Sequence, residues 1–465
     1  MTRTLIKGGT VISATGTSVA DVLVEDEKIA AVAAPGVFGE ADKDTTVIDA
    51  TGKYVLPGGI DAHTHMEMPF GGTFSHDTFS TGTTAAAWGG TTTIIDFAVQ
   101  AKGTTLQSTL DKWHEKADGN CAIDYGFHMI VSDVNDTTLK EMESCIGDGV
   151  TSFKMFMAYP GVFYSTDGEI LLAMQKARET GSTIMMHAEN GIAIDQLAAQ
   201  AFAAGKTEPV QHGLTRPPEL EGEATSRAIQ LAKVTGSPLY IVHLSAAQAL
   251  AAVAEARNDG QNVFAETCPQ YLYLSIEDMA KPGFEGAKYV ASPPLREKKH
   301  QADLWRGLRT NDLSVVSTDH CPFCFEDQKV LGTSDFRAIP NGMPGVEHRM
   351  DLLHQGVVAG EITLERWVET CATTPARMFG LYPRKGVIAA GSDADIVIYD
   401  PSAKQTLSAE THHMNVDYSA YEGFELTGRV ETVLSRGSVV VSAAGFTGST
   451  THGKFLKRDL NQYLS

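Results

Sequence analysis

Six positions along the chain carry side chains of the kind that build a metal centre. The segment Asp61-Ala62-His63-Thr64-His65 has two histidines at i and i+2. In an extended strand such positions face the same way, so His63 and His65 can share one ion. Single histidines at 187 (Met186-His187-Ala188-Glu189-Asn190) and 243 (Val242-His243-Leu244-Ser245) each close an apolar run, as does Asp319 in Ser317-Thr318-Asp319-His320. Taken one at a time these have ordinary explanations: a satisfied core histidine, or for Asp319 a helix N-cap. Lys154, in Phe153-Lys154-Met155-Phe156, is harder to dismiss, because an unpaired ammonium in an apolar run is costly to bury. Either it snorkels or pairs with an acid, or it is carbamylated by CO₂. Carbamylation turns a group of ordinary pKa about 10.4 into an anion whose two oxygens can bridge two metals. Imidazoles with carboxylate-like oxygens suit Zn²⁺ and tolerate Mn²⁺ or Co²⁺. Two such ions, roughly 3.5–4 Å apart, clamp a bridging hydroxide, lower its pKa and aim it at a carbonyl. Cys321-Pro-Phe-Cys324 is a competing zinc or redox pair, but no second CxxC accompanies it.

These residues need a scaffold that brings strand ends together. Apolar runs recur at Tyr54–Ile60, Thr91–Phe97, Ile123–Val131, Val150–Met157, Thr183–His187, Leu239–Leu244, Val263–Thr267 and Leu313–Ser317. Helical patterns lie between them at Leu106–Ala117, Thr137–Ile146, Gly168–Thr180, Ala224–Thr235 and Ala246–Ala256. Continuous apolar strands alternating with helices indicate a parallel sheet covered on both faces. About eight units is the count of a (β/α)8 TIM-like barrel, whose catalytic groups sit at the C-terminal strand ends. A doubly wound open sheet is the competing α/β architecture. Both chain ends instead show short alternating segments: Leu5–Ile12, Val19–Glu25, Lys28–Ala33 and Thr46–Ala50, then Ala394–Tyr399, Glu431–Ser435 and Ser438–Val441. That texture predicts a smaller β-sandwich domain built from both termini. The expected divisions are 1–52 and 381–442 for the sandwich, 53–380 for the barrel, and 443–465 for a tail that contacts a neighbouring subunit or lies in solvent.

The 465 residues suffice for more than one domain. With 37 Lys and Arg against 57 Asp and Glu, the net charge of −20 argues against nucleic acid or an anionic membrane as the main partner. No apolar run approaches the roughly 20 residues needed to span a bilayer. Six cysteines are too sparse for a disulfide framework, and the natural reading is a reducing cytoplasm.

With the candidate ligands in place, the chain resembles the dihydropyrimidinase/D-hydantoinase group of the amidohydrolase superfamily along essentially its whole length. The motifs that carry this are GGIDAHTHMEMPFGG, GGTTTIIDF, TSFKMFMAYPGVF, MMHAEN, LTRPPELEGEA, IVHLS, ETCPQYL, YVASPPLR, STDHCPF, IPNGMPGVE and AETHHMNVDYSAYEG. The resemblance implies two Zn²⁺ per chain on His63, His65, Lys154, His187, His243 and Asp319, with Lys154 as N6-carboxylysine. It implies Asp319 and Tyr159 as catalytic residues, Tyr159 stabilising the developing oxyanion. Ser292 and Asn341 would hold the cyclic amide through backbone groups, though turn chemistry beside proline and glycine equally explains them. Met66, Phe156 and Phe163 would receive the ring substituent, unless they simply pack. The implied reaction opens 5,6-dihydropyrimidines or 5-substituted hydantoins to N-carbamoyl amino acids, a step of pyrimidine catabolism, in a homotetramer with no nucleic-acid or membrane partner. Dihydroorotases usually carry Arg, and allantoinases Asn, two residues beyond the HxH pair. Glu67 stands there in this chain. Those two activities, a mononuclear deaminase-like hydrolase and a non-catalytic scaffold of the same fold remain as alternatives.

Overall fold

The computed structural model describes residues 2–464. Eight parallel strands follow one another around a sheet: Gly59–Thr64, Thr91–Val99, Asp124–Ile130, Ser152–Phe156, Thr183–His187, Leu239–Ile241, Val263–Thr267 and Val315–Val316. Each pairs with its sequence neighbour. The first and last meet at their C-terminal ends through a parallel bridge between Thr64 and His320, with the His65 N–H donating to the His320 carbonyl at 2.8 Å. Asp61 staples the same seam, accepting from the Thr318 N–H at 3.1 Å and from its hydroxyl at 2.6 Å. The sheet is therefore a closed (β/α)8 barrel.

Residue alternation explains the two apolar layers. Phe153 and Met155, Ile184 and Met186, and Leu239 and Ile241 pack outward against the helices. Phe156, Met185, Tyr240, Val242 and Phe264 belong to a separate interior cluster. Helices such as Leu106–Ala117, Asp136–Gly147, Asp167–Thr180, Pro218–Thr235 and Ala247–Asn258 cover the outside. Several start on side-chain caps, Thr105, Asn135 and Thr166 among them.

The chain ends form one nine-stranded, mostly antiparallel sheet, with its own core of Ile6, Val22, Val24, Val55, Ile396, Ile398 and Leu434. The run Tyr54–Ile60, read from sequence as one barrel strand, is divided. Tyr54–Pro57 pairs with the strands Arg3–Ser13 and Ile396–Thr406, and the barrel strand begins only at Gly59. Between them Gly58 has no room for a side chain, since a Cβ there would lie 2.1 Å from the Thr92 hydroxyl. A run buried on both sides does not reveal which sheet it joins. The last barrel strand is also shorter than expected, two residues rather than five.

The tail does not hang free. Leu456 donates its N–H to the Tyr125 carbonyl at 2.7 Å and Arg458 to the Gly149 carbonyl at 3.2 Å. Leu456 and Arg458 are buried. The segment docks on its own barrel, at the strand starts, opposite the candidate site. Among the described residues no helix is long and apolar enough to cross a membrane.

Candidate metal centre

The six candidate ligands converge at the C-terminal mouth of the barrel, all of them buried. Nε2 of His63 and Nε2 of His65 lie 3.1 Å apart, and Oδ1 of Asp319 is 3.1 and 3.3 Å from them. Nδ1 of His187 faces Nε2 of His243 at 3.0 Å. Lys154 Nζ sits 2.9 Å from His63 Nε2. Two donors bound to one zinc at 2.0–2.1 Å with a tetrahedral angle would be roughly 3.3 Å apart. The spacing of these atoms thus fits shared ions. Acceptor nitrogens and a carboxylate crowded together, away from water, have little other reason to converge.

Local backbone geometry aims these groups. Lys154 and His187 lie on the inward parity of their strands, beside Phe156 and Met185. The pairing of the first strand is irregular between Asp61 and Thr64, which turns His63 inward. His243 follows the inward Val242, so alternation alone would send it outward. Its φ of 39° breaks the alternation. Tyr159 and Asp319 are also left-handed, at 60° and 52°. Such backbone costs of order 1–3 kcal/mol per residue and concentrates where function demands it.

Carboxylates behind the ligands fix two of the imidazoles. Glu266 accepts from His63 Nδ1, from the Tyr240 hydroxyl at 2.9 Å and from the His243 N–H at 3.1 Å. Glu189 bonds His187 Nε2 at 2.8 Å, leaving Nδ1 to face the centre. Holding the second nitrogen sets tautomer and ring orientation. The Nδ1 atoms of His65 and His243 have no partner among the described residues. Sequence reasoning missed Glu266 and Glu189, although a glutamate on a buried strand and one two residues beyond a candidate ligand were visible as ETCPQYL and MMHAEN. His320, next to Asp319, bonds Asp77 at 2.9 Å and accepts from the Gly345 N–H at 3.1 Å, tying loops together.

Burial pulls the Lys154 ammonium down to about 8, despite the pull of Asp319 and Glu266. No carboxylate lies within 4 Å of its Nζ among the described residues, so the paired-lysine explanation finds no partner. Burial opposes ionisation of Asp319, but the imidazoles of His63 and His65 outweigh it and hold the carboxyl well below its usual range. Burial and the Glu189 charge push the Tyr159 phenol up to about 12, keeping it a hydrogen-bond donor.

The inner chamber is lined by His65, Met68, Phe156, Tyr159, Phe163 and Ser292, among others. Phe70, Tyr159, Phe163 and Asn341 also border an outer funnel of about 1360 Å³. The model of the amidohydrolase family matches residues 54–440. A D-hydantoinase of Streptomyces coelicolor is 66% identical over 464 residues, covering 100% of this chain and 99% of its own length. A D-hydantoinase of Geobacillus stearothermophilus is 51% identical, over 98% of this chain and 96% of its own. The crystal structure of a dihydropyrimidinase from Brevibacillus agri superposes with TM-score 0.96 at 51% identity, covering 98% of this chain and 99% of that one. This chain belongs to the amidohydrolase family, in its D-hydantoinase/dihydropyrimidinase group.

One expectation changes within this amidohydrolase site. Met66 does not face the chamber. Its side chain packs in the layer between barrel and helices, where a Cβ on Gly82 would meet its sulfur at 2.3 Å. Its N–H donates to Asp96 at 2.8 Å. Met68 lines the chamber instead, two residues on, because the chain has left the strand at His65 and the sequence period no longer applies. Neither cysteine of the CxxC pair joins a cluster of metal-ligating side chains among the described residues. Cys321 and Cys324 are buried and free, and burial raises both thiols, Cys324 to about 11.

Proposed function

We propose that this chain opens cyclic diamides, 5,6-dihydropyrimidines and 5-substituted hydantoins, by hydrolysis to N-carbamoyl amino acids. One observation carries the reading furthest. The main-chain N–H and C=O groups of Ser292 and Asn341 form no hydrogen bond to any described residue, and both residues border the chamber that holds the ligands. A cyclic amide presents alternating C=O and N–H groups along its ring edge, and these free backbone groups are its complement.

His63, His65 and Asp319 would hold one ion and His187 with His243 a second, with Lys154, as N6-carboxylysine, supplying an oxygen to each. Zinc is the metal the donor set favours. Bound there, the metals would supply Lewis acidity and acidify water at neutral pH. Asp319 takes the proton of the attacking water and returns it to the leaving ring nitrogen. Tyr159, kept protonated by burial, donates to the oxygen on which charge develops. Ser292 and Asn341 orient the ring, while Met68, Phe156 and Phe163 receive its substituent.

The buried free cysteines accord with a reducing, cytoplasmic setting. A homotetramer rests on the resemblance alone, and light scattering on the purified chain tests it. The activity test compares kcat/KM for dihydrouracil, dihydrothymine, hydantoin, allantoin and dihydroorotate. Preference for the first three is expected, and preference for either of the last two would overturn the substrate class.

A further inference from the structure

Lys329 is a buried lysine that the reaction does not use. It is fully inaccessible, and no carboxylate lies within 4 Å of its Nζ among the described residues. Its ammonium donates to three backbone carbonyls: Val290 at 2.9 Å, Pro340 at 2.7 Å and Gly342 at 2.7 Å. These flank the two ring-holding residues, since Val290 lies two positions before Ser292, while Pro340 and Gly342 bracket Asn341. The segments also join directly, the Gly342 N–H donating to the Val290 carbonyl at 3.0 Å. Asn341 Nδ2 reaches Ser292 Oγ at 3.1 Å.

A solvated lysine is cheap, and this one is not. Burial pulls its pKa down to about 7. An isolated ammonium in an apolar site loses its hydration, and only well-placed acceptors offset that loss. Three carbonyls at charge-assisted distances do so here. The bond to the Pro340 carbonyl has a second effect. That carbonyl and the Asn341 N–H belong to the same peptide, so a cation on the oxygen polarises the unpaired N–H of this chamber-lining residue.

We infer that Lys329 is a positioning residue for ring recognition: its ammonium locks the Ser292 and Asn341 segments in register and strengthens the Asn341 N–H as a donor to a substrate carbonyl. The inference rests on the ring-opening reading above. Lys329 has no path to the reacting atoms, so its effect falls on binding of the ring.

The test is K329M, which keeps the length and apolar stem but cannot donate. Expected for hydantoin or dihydrouracil is a KM raised about 10- to 100-fold, the range for losing a charge-assisted hydrogen bond, with kcat within about threefold and metal content unchanged. Inhibition by acetohydroxamate, which seeks metal and needs no ring cradle, should stay within about twofold. A fold defect would instead disturb kcat, metal content and hydroxamate inhibition together. If K329M cannot be purified folded, K329A is assayed with n-butylammonium and with n-butanol. Lowering of KM by the ammonium alone supports the assignment, whereas equal rescue by both or by neither overturns it. An unchanged KM in folded K329M also overturns it. If the unaltered chain opens none of the cyclic amides, the ring-opening reading has failed instead.

Discussion

Glu266→Gln isolates what the carboxylate behind His63 does. The substitution keeps side-chain volume and removes one charge from a position that accepts three hydrogen bonds, from His63 Nδ1, the Tyr240 hydroxyl and the His243 N–H. Two of those donors belong to candidate ligands, so the loss reaches both halves of the centre. A charge-assisted bond contributes about 1.5–3 kcal/mol and a neutral one about 0.5–1.5. The difference, about 1–2 kcal/mol, corresponds to metal affinity lower by roughly 5- to 30-fold, near the usual range for a partner standing behind a metal-bound histidine. Glu266→Ala should cost about 1–3 kcal/mol more in stability, because the Tyr240 hydroxyl is left unpaired in a closed core. The assay is zinc retention against a graded competing chelator, with thermal unfolding in parallel. Wild-type zinc affinity in folded Glu266→Gln would refute the idea that this carboxylate orients the ligand set.

Five further substitutions have expected outcomes. Lys154→Ala should lose both metal and turnover, with partial return of activity on adding a short carboxylic acid; full metal content without that rescue counts against a carbamate bridge. Asp319→Ala should abolish turnover even where metal is still bound, and near-wild-type activity in a metal-loaded sample would remove its proton-shuttling role. Met68→Ala should change the relative kcat/KM of bulky and small 5-substituted hydantoins. Met66→Ala should leave that ratio alone while costing about 2–5 kcal/mol of stability, readable from denaturant curves. Far from the site, Lys385 lies 2.7, 3.0 and 2.6 Å from Asp124, Asp393 and Asp395. Burial works against ionisation of Asp393, but Lys385 and Lys28 outweigh it and hold it at about 2. Because this folded-state pKa lies below the ordinary value of about 3.9, its contribution is present above that value and is lost as pH falls from about 4 to about 2. Lys385→Met should therefore be strongly destabilising at pH 7, by about 3–5 kcal/mol, and should flatten the loss of stability between pH 4 and pH 2.

Much of this molecule was legible before any coordinates. Barrel strands announce themselves because both faces are buried, and Lys154 stood out as an ammonium inside such an apolar run. What escaped detection depends on breaks in periodicity or on contacts between distant segments. His243 points inward only through its left-handed backbone, so its candidacy came from type and place rather than alternation. Met66 was assigned to the chamber by the resemblance, and no alternation could check it, because the strand ends at Thr64. Glu266 is 203 residues from His63, and no local pattern links them. The tail's docking on Tyr125 and Gly149 is set by backbone hydrogen bonds that leave no mark in composition. The role of Lys329 depends on three carbonyls from two other segments, which no local pattern announces.

The paired-ion centre is tested most directly by stripping the purified chain of metal and titrating zinc back while following ring opening of hydantoin in bicarbonate-containing buffer. Activity that rises to a plateau at two equivalents per chain, with one CO₂ retained on Lys154 by intact mass, is the expected result. Full activity in the stripped chain, or a plateau at one equivalent with Lys154 unmodified, would contradict it.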